Sequence, residues 1–353
     1  MRPLASLLLF LAVPALAQCG KPSSRTEGGE SASASAFAHS PASASASALA
    51  PASALAPALA SDPSSLLRDA HTRYGEGKDV SLDSSSFVVV GYEHTPALFD
   101  AARALLRKGL ANYAQGWFGA LPTDPVYVVL FATPAEYDHF AQTNYGMPGA
   151  QLLGGYSRYR HEIVVDATAG ERALPTILHE ALHPILEQDW ERARGRGKEI
   201  PHWLNECIAS VYESPRWDAA GGLHGAKWSL RLSVLQGALA DAAKKKSTRL
   251  DALFGMSDSE FLGQDPDEPV EELLRDPDGV RKRALGRERL HYATARYLCT
   301  WLETREPSLL APFYREVRDG FARDPTGRVA FEKVVGRPPA AAQSEWEAWV
   351  RAP

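Results

Sequence analysis

Hydrophobic and polar positions change in blocks along the first half of the folded part of the chain. Residues 86–92 and 126–132 are short apolar runs typical of buried strands, and residues 96–114 between them carry apolar side chains at helical spacing. A further helix is predicted over 133–142, and two extended segments around a polar turn over 151–167. This order of strand, helix, strand, helix and hairpin predicts a small mixed sheet.

The second half of the chain is dominated by helical spacing. Apolar positions recur every three or four residues in the segments 227–243, 291–305, 308–322 and 344–352. Together the two halves predict an α+β fold, with a small mixed sheet followed by an α-helical C-terminal region. We expect the folded part to consist of two subdomains, residues 66–220 and 221–353.

The N-terminal region follows a different pattern. Residues 1–19 hold one arginine and an apolar run too short to span a membrane, then small residues, which is typical of an export signal peptide. Cys19 resembles the lipidated cysteine of a bacterial lipobox, although Gln18 fits that motif poorly. Residues 20–65 are mostly Ser, Ala, Pro and Gly, the composition of a disordered tether. We expect either a periplasmic or cell-surface lipoprotein attached to the membrane through Cys19, or a secreted soluble protein.

Composition and charge narrow the class of protein further. The chain has 353 residues with a formal net charge of −5 and interspersed signs, which argues against a nucleic-acid partner. Cys207 and Cys299 follow the signal region, and in an exported protein they either pair or remain as two buried thiols on apolar helix faces. The sequence decides neither that question nor the oligomeric state.

A helix predicted over residues 174–190 contains the pattern H-E-x-x-H, with His179, Glu180 and His183. Residues four apart lie on one face of a helix, so both imidazoles can present a nitrogen to one point with Glu180 beside it. This is the pattern of a catalytic zinc site. Pro184 deletes one helical hydrogen bond and predicts a bend at or after His183, which leaves the preceding spacing nearly intact. The alternative is a kinked helix that binds no metal.

A third metal ligand is predicted in the next helical segment, residues 200–213. Glu206 lies 23 positions after His183 and off the apolar stripe of that segment. His202 and Glu213 share its face. His202 is interpreted as a polar helix-start residue, with a substitute ligand or substrate contact as the alternative, and Glu213 is a candidate for orienting a ligand histidine.

The joint pattern H-E-x-x-H at 179–183 and W-L-N-E-x-I-A at 203–209 resembles the motifs of the gluzincins, zinc peptidases whose third ligand is a glutamate. The resemblance implies a zincin-like fold with an active-site helix. It further implies one zinc ion held by His179, His183 and Glu206, with Glu180 as general base and acid in the hydrolysis of peptide bonds.

Two positions refine what the resemblance implies. Tyr292 lies in a downstream helix, where gluzincins often bring a tyrosine to the oxyanion. Ser210 stands where the thermolysin-like branch has an aspartate that supports a ligand histidine, so the groups around the ligands are expected to differ. The sequence therefore predicts a zinc endopeptidase acting on peptide or protein substrates. The alternative is a catalytically impaired, zincin-fold binding module of the cell envelope, against which the intact Glu180 argues.

Overall fold

The computed structural model describes residues 62–118, 121–146 and 154–353. The predicted export signal, Cys19, the tether up to residue 61 and the start of the predicted hairpin at 151–153 lie outside the described residues. Among the helices of the described residues, none combines the length and the apolar character needed to cross a membrane.

The described residues form a mixed α and β fold. Its strands are β1 (Asp79–Leu82), β2 (Phe87–Tyr92), β3 (Val126–Phe131), β4 (Gly154–Ser157), β5 (Glu162–Asp166), β6 (Pro215–Trp217) and β7 (Leu223–Gly225). Its helices are α1 (Pro63–Tyr74), α2 (Pro96–Tyr113), α3 (Pro134–Tyr145), α4 (Pro175–Arg194), α5 (His202–Val211), α6 (Leu230–Ala240), α7 (Ala242–Lys245), α8 (Leu250–Leu253), α9 (Asp258–Phe261), α10 (Val270–Arg275), α11 (Pro277–Glu303), α12 (Leu310–Gly320), α13 (Arg328–Val335) and α14 (Pro339–Arg351). The predicted α+β class, with its small mixed sheet and helical C-terminal region, is confirmed.

Five strands of the described residues form one sheet in the order β1-β2-β3-β5-β4. The three central strands are parallel, whereas β1 and β4 pair antiparallel to their neighbours at the two edges. Every residue of β3 is buried, which explains its continuous apolar run. β4 is an edge strand whose register pairs Gly154 with Val165 and Tyr156 with Ile163. One edge of the sheet is thus a short strand next to α4.

Helices cover both faces of this sheet. α1 and α3 pack on one face, where Ala70 and Phe140 join side chains of β2 and β3. α2 and α4 pack on the other face, in the larger core that also contains the C-terminal helices. α4 packs against β4 and β5 and also against α5 and α12. The helix that carries the H-E-x-x-H pattern is therefore held by the sheet and by other helices.

The helix α11 is the longest helix of the C-terminal region. Its buried second half packs against α5 and α6, and a disulfide bond joins its Cys299 to Cys207 of α5, with the Cα atoms 5.6 Å apart. Of the two alternatives for these cysteines, the structure has the paired one. α11 begins at Pro277, well before the predicted start at 291, because the side chain of Asp276 accepts a hydrogen bond from the N–H of Gly279.

Some elements around this framework have only weak signals in the sequence. α1 buries Leu66, Ala70 and Tyr74, four residues apart, which is a helical signal directly after the segment predicted as tether. Pro63 occupies the first position of α1, so this helix starts within the segment predicted as tether. The strands β1, β6 and β7 have only three or four residues each, too few for an apolar pattern to reveal them. The two-subdomain division stays a prediction.

Candidate metal and catalytic site

Three polar side chains of α4 meet in the interior of the protein. The Nε2 atoms of His179 and His183 lie 3.2 Å apart. The carboxylate of Glu180 lies 3.9 Å from Nε2 of His179 and 3.8 Å from Nε2 of His183. Ligand atoms of the three residues all lie within 4.8 Å of one another, and the three side chains are buried. α4 continues as one helix past Pro184, and the one-turn spacing of the two histidines is kept.

The helix α5 adds a second carboxylate to this cluster. Oε2 of Glu206 lies 3.6 Å from Nε2 of His179, and its Oε1 lies 3.8 Å from Nε2 of His183. Glu206 is buried like its apolar neighbours on α5, and its carboxylate faces the two imidazoles of α4. The structure thus brings together the four residues that the sequence selects from two separate segments. We call His179, Glu180, His183 and Glu206 the donor cluster.

The outer nitrogen of His183 is supported from α5. Oδ1 of Asn205 lies 3.1 Å from Nδ1 of His183, so Nδ1–H donates to the amide oxygen and the lone pair remains on Nε2. Ser210, which stands where the thermolysin-like branch has an aspartate, donates its hydroxyl to the Cys207 carbonyl at 3.3 Å. Asn205, directly before Glu206, was missed as a functional residue although it lies inside the W-L-N-E motif.

The outer nitrogen of His179 faces Glu213. Oε1 of Glu213 lies 3.6 Å from Nδ1 of His179, and two arginines contact the same carboxylate. Burial alone would raise the pKa of Glu213, but Arg231 and Arg296 outweigh burial and hold it at about 2. Glu213 is therefore a carboxylate anion at neutral pH. The sequence suggested Glu213 as an orienting group, but nothing in the spacing of the two arginines, which come from α6 and α11, could have revealed them.

Burial also sets the protonation of the donor cluster. It lowers the pKa of His179 to about 3 and the pKa of His183 to about 4, so both imidazoles are neutral at pH 7. Burial raises the pKa of Glu180 well above its usual range, and the neighbouring carboxylates of Glu206 and Glu213 raise it further. The cluster therefore offers two neutral imidazoles and a carboxyl group that holds a proton readily.

The edge strand β4 lies against the same site. The backbone N–H of Tyr156 donates to the Glu180 carboxylate, and the Tyr156 ring stacks on His183 with 14° between the planes and 6.3 Å between the centroids. The Tyr156 hydroxyl bonds to Glu187, one turn further along α4, and burial raises the pKa of Glu187 to about 7. A Cβ atom on Gly154 would lie 2.5 Å from the Thr176 methyl carbon, so glycine permits the close approach of β4 to α4.

The predicted oxyanion donor, Tyr292, lies on the C-terminal side of the site. Burial raises the pKa of its hydroxyl well above the usual value, and the charge of Glu206 raises it further. The Tyr292 hydroxyl lies 3.3 Å from Nε2 of His202. His202 therefore contacts the tyrosine, and it also starts α5 with its backbone N–H bonded to Asp258 at 3.2 Å.

The donor cluster has the chemistry of a metal-binding site. With zinc bonds of the usual length, tetrahedral coordination places two ligand atoms about 3.3 Å apart, and the Nε2 atoms of His179 and His183 are 3.2 Å apart. Both imidazoles are neutral and face oxygen atoms with their outer nitrogens, as metal-binding histidines do. Two imidazoles and a carboxylate, beside a second carboxylate, could hold a divalent ion such as zinc and leave one coordination position open.

Comparisons with protein-family models and with curated proteins each return no match for this chain. The functional interpretation therefore depends on the geometry of the donor cluster and on the sequence motifs themselves.

Proposed function

We propose that the protein is a zinc-dependent endopeptidase of gluzincin type with a zincin-like fold. The observation that carries this proposal is the convergence of two imidazole nitrogens and two carboxylates from α4 and α5 within 3.9 Å contacts. In the proposed assignment, His179, His183 and Glu206 hold one zinc ion. When bound, this ion lowers the pKa of a coordinated water molecule towards 7 and polarises the scissile carbonyl.

Glu180 is proposed as the general base and acid. Its carboxylate lies beside the two histidines, and the backbone N–H of Tyr156 in β4 also donates to it. Because burial raises the pKa of Glu180, this group accepts a proton from the attacking water and then delivers it to the leaving amine. The carboxylates of Glu180 and Glu206 lie at almost equal distances from the two imidazoles. Substitution of each glutamate in turn therefore tests which one acts as the base and which one binds the metal.

Tyr292 is proposed as the donor that stabilises the developing oxyanion. The raised pKa keeps its hydroxyl protonated at neutral pH, which a hydrogen-bond donor requires. The Tyr292 hydroxyl lies 3.3 Å from Nε2 of His202, at the start of α5.

The edge strand β4 supports an extended polypeptide as substrate. Its outer side has no neighbouring strand within the described residues, and it lies directly next to Glu180. An extended peptide that pairs with such an edge brings its carbonyl groups to the site in a fixed register. This arrangement favours cleavage within a chain over removal of a terminal residue.

The first experiment is the zinc content of the purified full chain combined with its cleavage of an unstructured protein. We expect one zinc per wild-type chain, loss of zinc in His183→Ala and Glu206→Ala, and retained zinc without cleavage in Glu180→Gln. Loss of zinc in Glu180→Gln with retention in Glu206→Ala would exchange the roles of the two carboxylates. Bound zinc without any cleavage by the wild type would favour the binding module, and a wild type without zinc would refute the proposal.

We also propose that the chain is exported and attached to a membrane through a lipidated Cys19. This proposal depends on the apolar run, the lipobox-like sequence and the tether. The mass of the mature N-terminus tests it. A lipid-modified Cys19 supports a lipoprotein, an unmodified terminus after residue 17 supports a secreted soluble protein, and a retained Met1 refutes export.

A further inference from the structure

The outer nitrogen of His179 faces a single carboxylate. Nδ1 is buried and forms no hydrogen bond within the described residues, but Oε1 of Glu213 lies 3.6 Å from it. Hydrogen bonds around catalytic groups are often long in structures without substrate and shorten when the complex forms. A carboxylate at this position keeps the proton on Nδ1, and Nε2 then presents its lone pair to the donor cluster.

Two arginines from different helices fix the orientation of Glu213. Arg231 of α6 donates from Nε and Nη2 to the two carboxylate oxygens at 2.9 and 2.8 Å. Arg296 of α11 donates from Nη1 to Oε2 at 3.4 Å, and its side chain is fully buried. A two-point contact from a planar guanidinium fixes the plane of a carboxylate as well as its position. Glu213 lies just beyond the end of α5, so these contacts replace the restraint that a helix would give.

Arg231 contacts Tyr292 as well as Glu213. The guanidinium of Arg231 lies 5.1 Å from the centre of the Tyr292 ring. Arg231 thus contacts both Glu213, behind His179, and Tyr292, the predicted oxyanion donor. Ser210, on the same helix as Glu206, bonds to a backbone carbonyl and supplies no support to either histidine.

We infer that Glu213 is a positioning residue, which holds His179 with Nδ1 protonated and Nε2 directed at the metal, and that Arg231 and Arg296 hold Glu213 in turn. The inference rests on the proposed zinc site. His179 is then supported by the Glu213 carboxylate, which arginines of α6 and α11 bind, whereas His183 is supported by Asn205 of α5.

The test compares zinc affinity and imidazole tautomer in three versions of the full chain, measured by competition with a chromophoric chelator and by ¹⁵N NMR of the metal-free histidines. Glu213→Gln keeps the size of the side chain but removes its charge. We expect zinc to bind about 10- to 100-fold more weakly, and the His179 ring to lose its uniform Nδ1–H tautomer. Glu213→Asp keeps the negative charge that both arginines bind. This variant provides the test if the glutamine variant does not fold. Because its carboxylate is one methylene further from His179, we expect an intermediate loss of affinity.

Asp189→Asn is the matched control. Asp189 of α4 is a buried carboxylate bonded to Tyr314 at 2.8 Å and to Arg318 at 2.6 Å, and these partners lie outside the donor cluster. The Asp189→Asn variant should be less stable than the wild type but should bind zinc with the same affinity. Wild-type affinity and tautomer in both Glu213 variants would overturn the inference, as would an equal loss of affinity in Asp189→Asn. A wild-type chain that binds no zinc at all would refute the proposed function and this inference together.

Discussion

The amide oxygen of Asn205 lies 3.1 Å from Nδ1 of His183, and the contact joins α5 to α4. The residue after Asn205 is Glu206, so one turn of α5 both contributes a carboxylate to the donor cluster and orients an imidazole of the other helix. The relative position of α4 and α5 therefore decides the geometry of the whole site.

Asn205→Ala should weaken zinc binding by about 10- to 100-fold, because it removes the group that orients His183. It should also cost about 1–3 kcal/mol of folding stability, since the Nδ1–H of His183 becomes a buried donor without an acceptor. Chelator competition measures the first effect and urea denaturation the second. Ser210→Ala, at a fully buried position of the same helix, is the control. Unchanged zinc affinity in Asn205→Ala would contradict the assigned role.

In the metal-free chain, the stability contributed by neutral His179 and His183 should be lost as the pH falls from about 6.5 to about 3, whereas the raised pKa values of Glu180 and Glu187 change stability in the opposite direction. Burial lowers the folded-state pKa of His179 to about 3 and of His183 to about 4, whereas an unfolded histidine titrates near 6.5. The unfolded chain therefore binds protons that the folded chain does not. Each histidine adds at most about 1.4 kcal/mol per pH unit to the slope. The stability that the two neutral histidines contribute is fully present above about pH 6.5, the pKa of a histidine in the unfolded chain.

Urea denaturation between pH 4 and 7.5 checks this prediction. His183→Gln should have a smaller slope of unfolding free energy against pH than the wild type. His139→Gln, which removes an exposed histidine of α3, is the control. Equal slopes in all three proteins would show that the buried histidines do not cause the pH dependence.

Reduction of the disulfide should destabilise the contact between α5 and α11. Cys207 and Cys299 are 92 positions apart, and closing a loop of that size stabilises a protein by about 2–5 kcal/mol. We expect the Cys207→Ala and Cys299→Ala double variant to unfold at lower denaturant concentration, and the wild type to shift to the same midpoint in reductant. Peptide mass mapping without reductant establishes the bond first. A double variant as stable as the oxidised wild type would contradict the prediction.

Gly154→Ala should destabilise the protein, whereas Gly155→Ala should not. A Cβ atom at 154 would lie 2.5 Å from the Thr176 methyl carbon, but at 155 it would meet nothing within 4 Å. Overpacking of this kind costs about 1–3 kcal/mol. Adding Thr176→Ser to Gly154→Ala removes the methyl group and should restore part of the loss, as measured by thermal unfolding. Equal effects of the two alanine substitutions would show that β4 does not approach α4 this closely.

Pro184→Ala should leave one zinc bound per chain, since His179, Glu180 and His183 all precede the proline and α4 already runs as one helix. The substitution restores a backbone N–H that can bond to the Glu180 carbonyl. It also removes side-chain atoms from a buried position, so the gain in stability should be smaller than the usual cost of about 3 kcal/mol for an interior proline. Metal analysis and denaturation of the variant check both points. A change in zinc stoichiometry would show that Pro184 shapes the donor cluster.

Much of the framework could be predicted because its signals are local. The buried strands β2 and β3 are continuous apolar runs, and the spacing of His179 and His183 needs only the helical repeat. Glu206 could be selected because it lies off the apolar stripe of its own helix.

The features that the sequence did not predict depend on contacts between distant segments of the chain. Arg231 and Arg296 approach Glu213 only when α6 and α11 pack together, and no periodicity in the sequence encodes that approach. The same holds for Tyr156, whose ring meets His183 because β4 is an edge strand next to α4. The polar first half of α11 lacks an apolar stripe, so its start is marked only by Asp276 and Pro277.

Because α11 follows the proposed metal ligands in the chain, the parts of the site are synthesised in a fixed order. A nascent chain that has emerged as far as Glu206 already contains the proposed ligands, but Tyr292, Arg296 and Cys299 are synthesised about ninety residues later. Because an unfolded segment rarely contains a preformed metal site, zinc capture is coupled to folding. We therefore expect the centre to be completed only after synthesis of the C-terminal helices, and a chain truncated before α11 to bind zinc weakly even though every ligand is present.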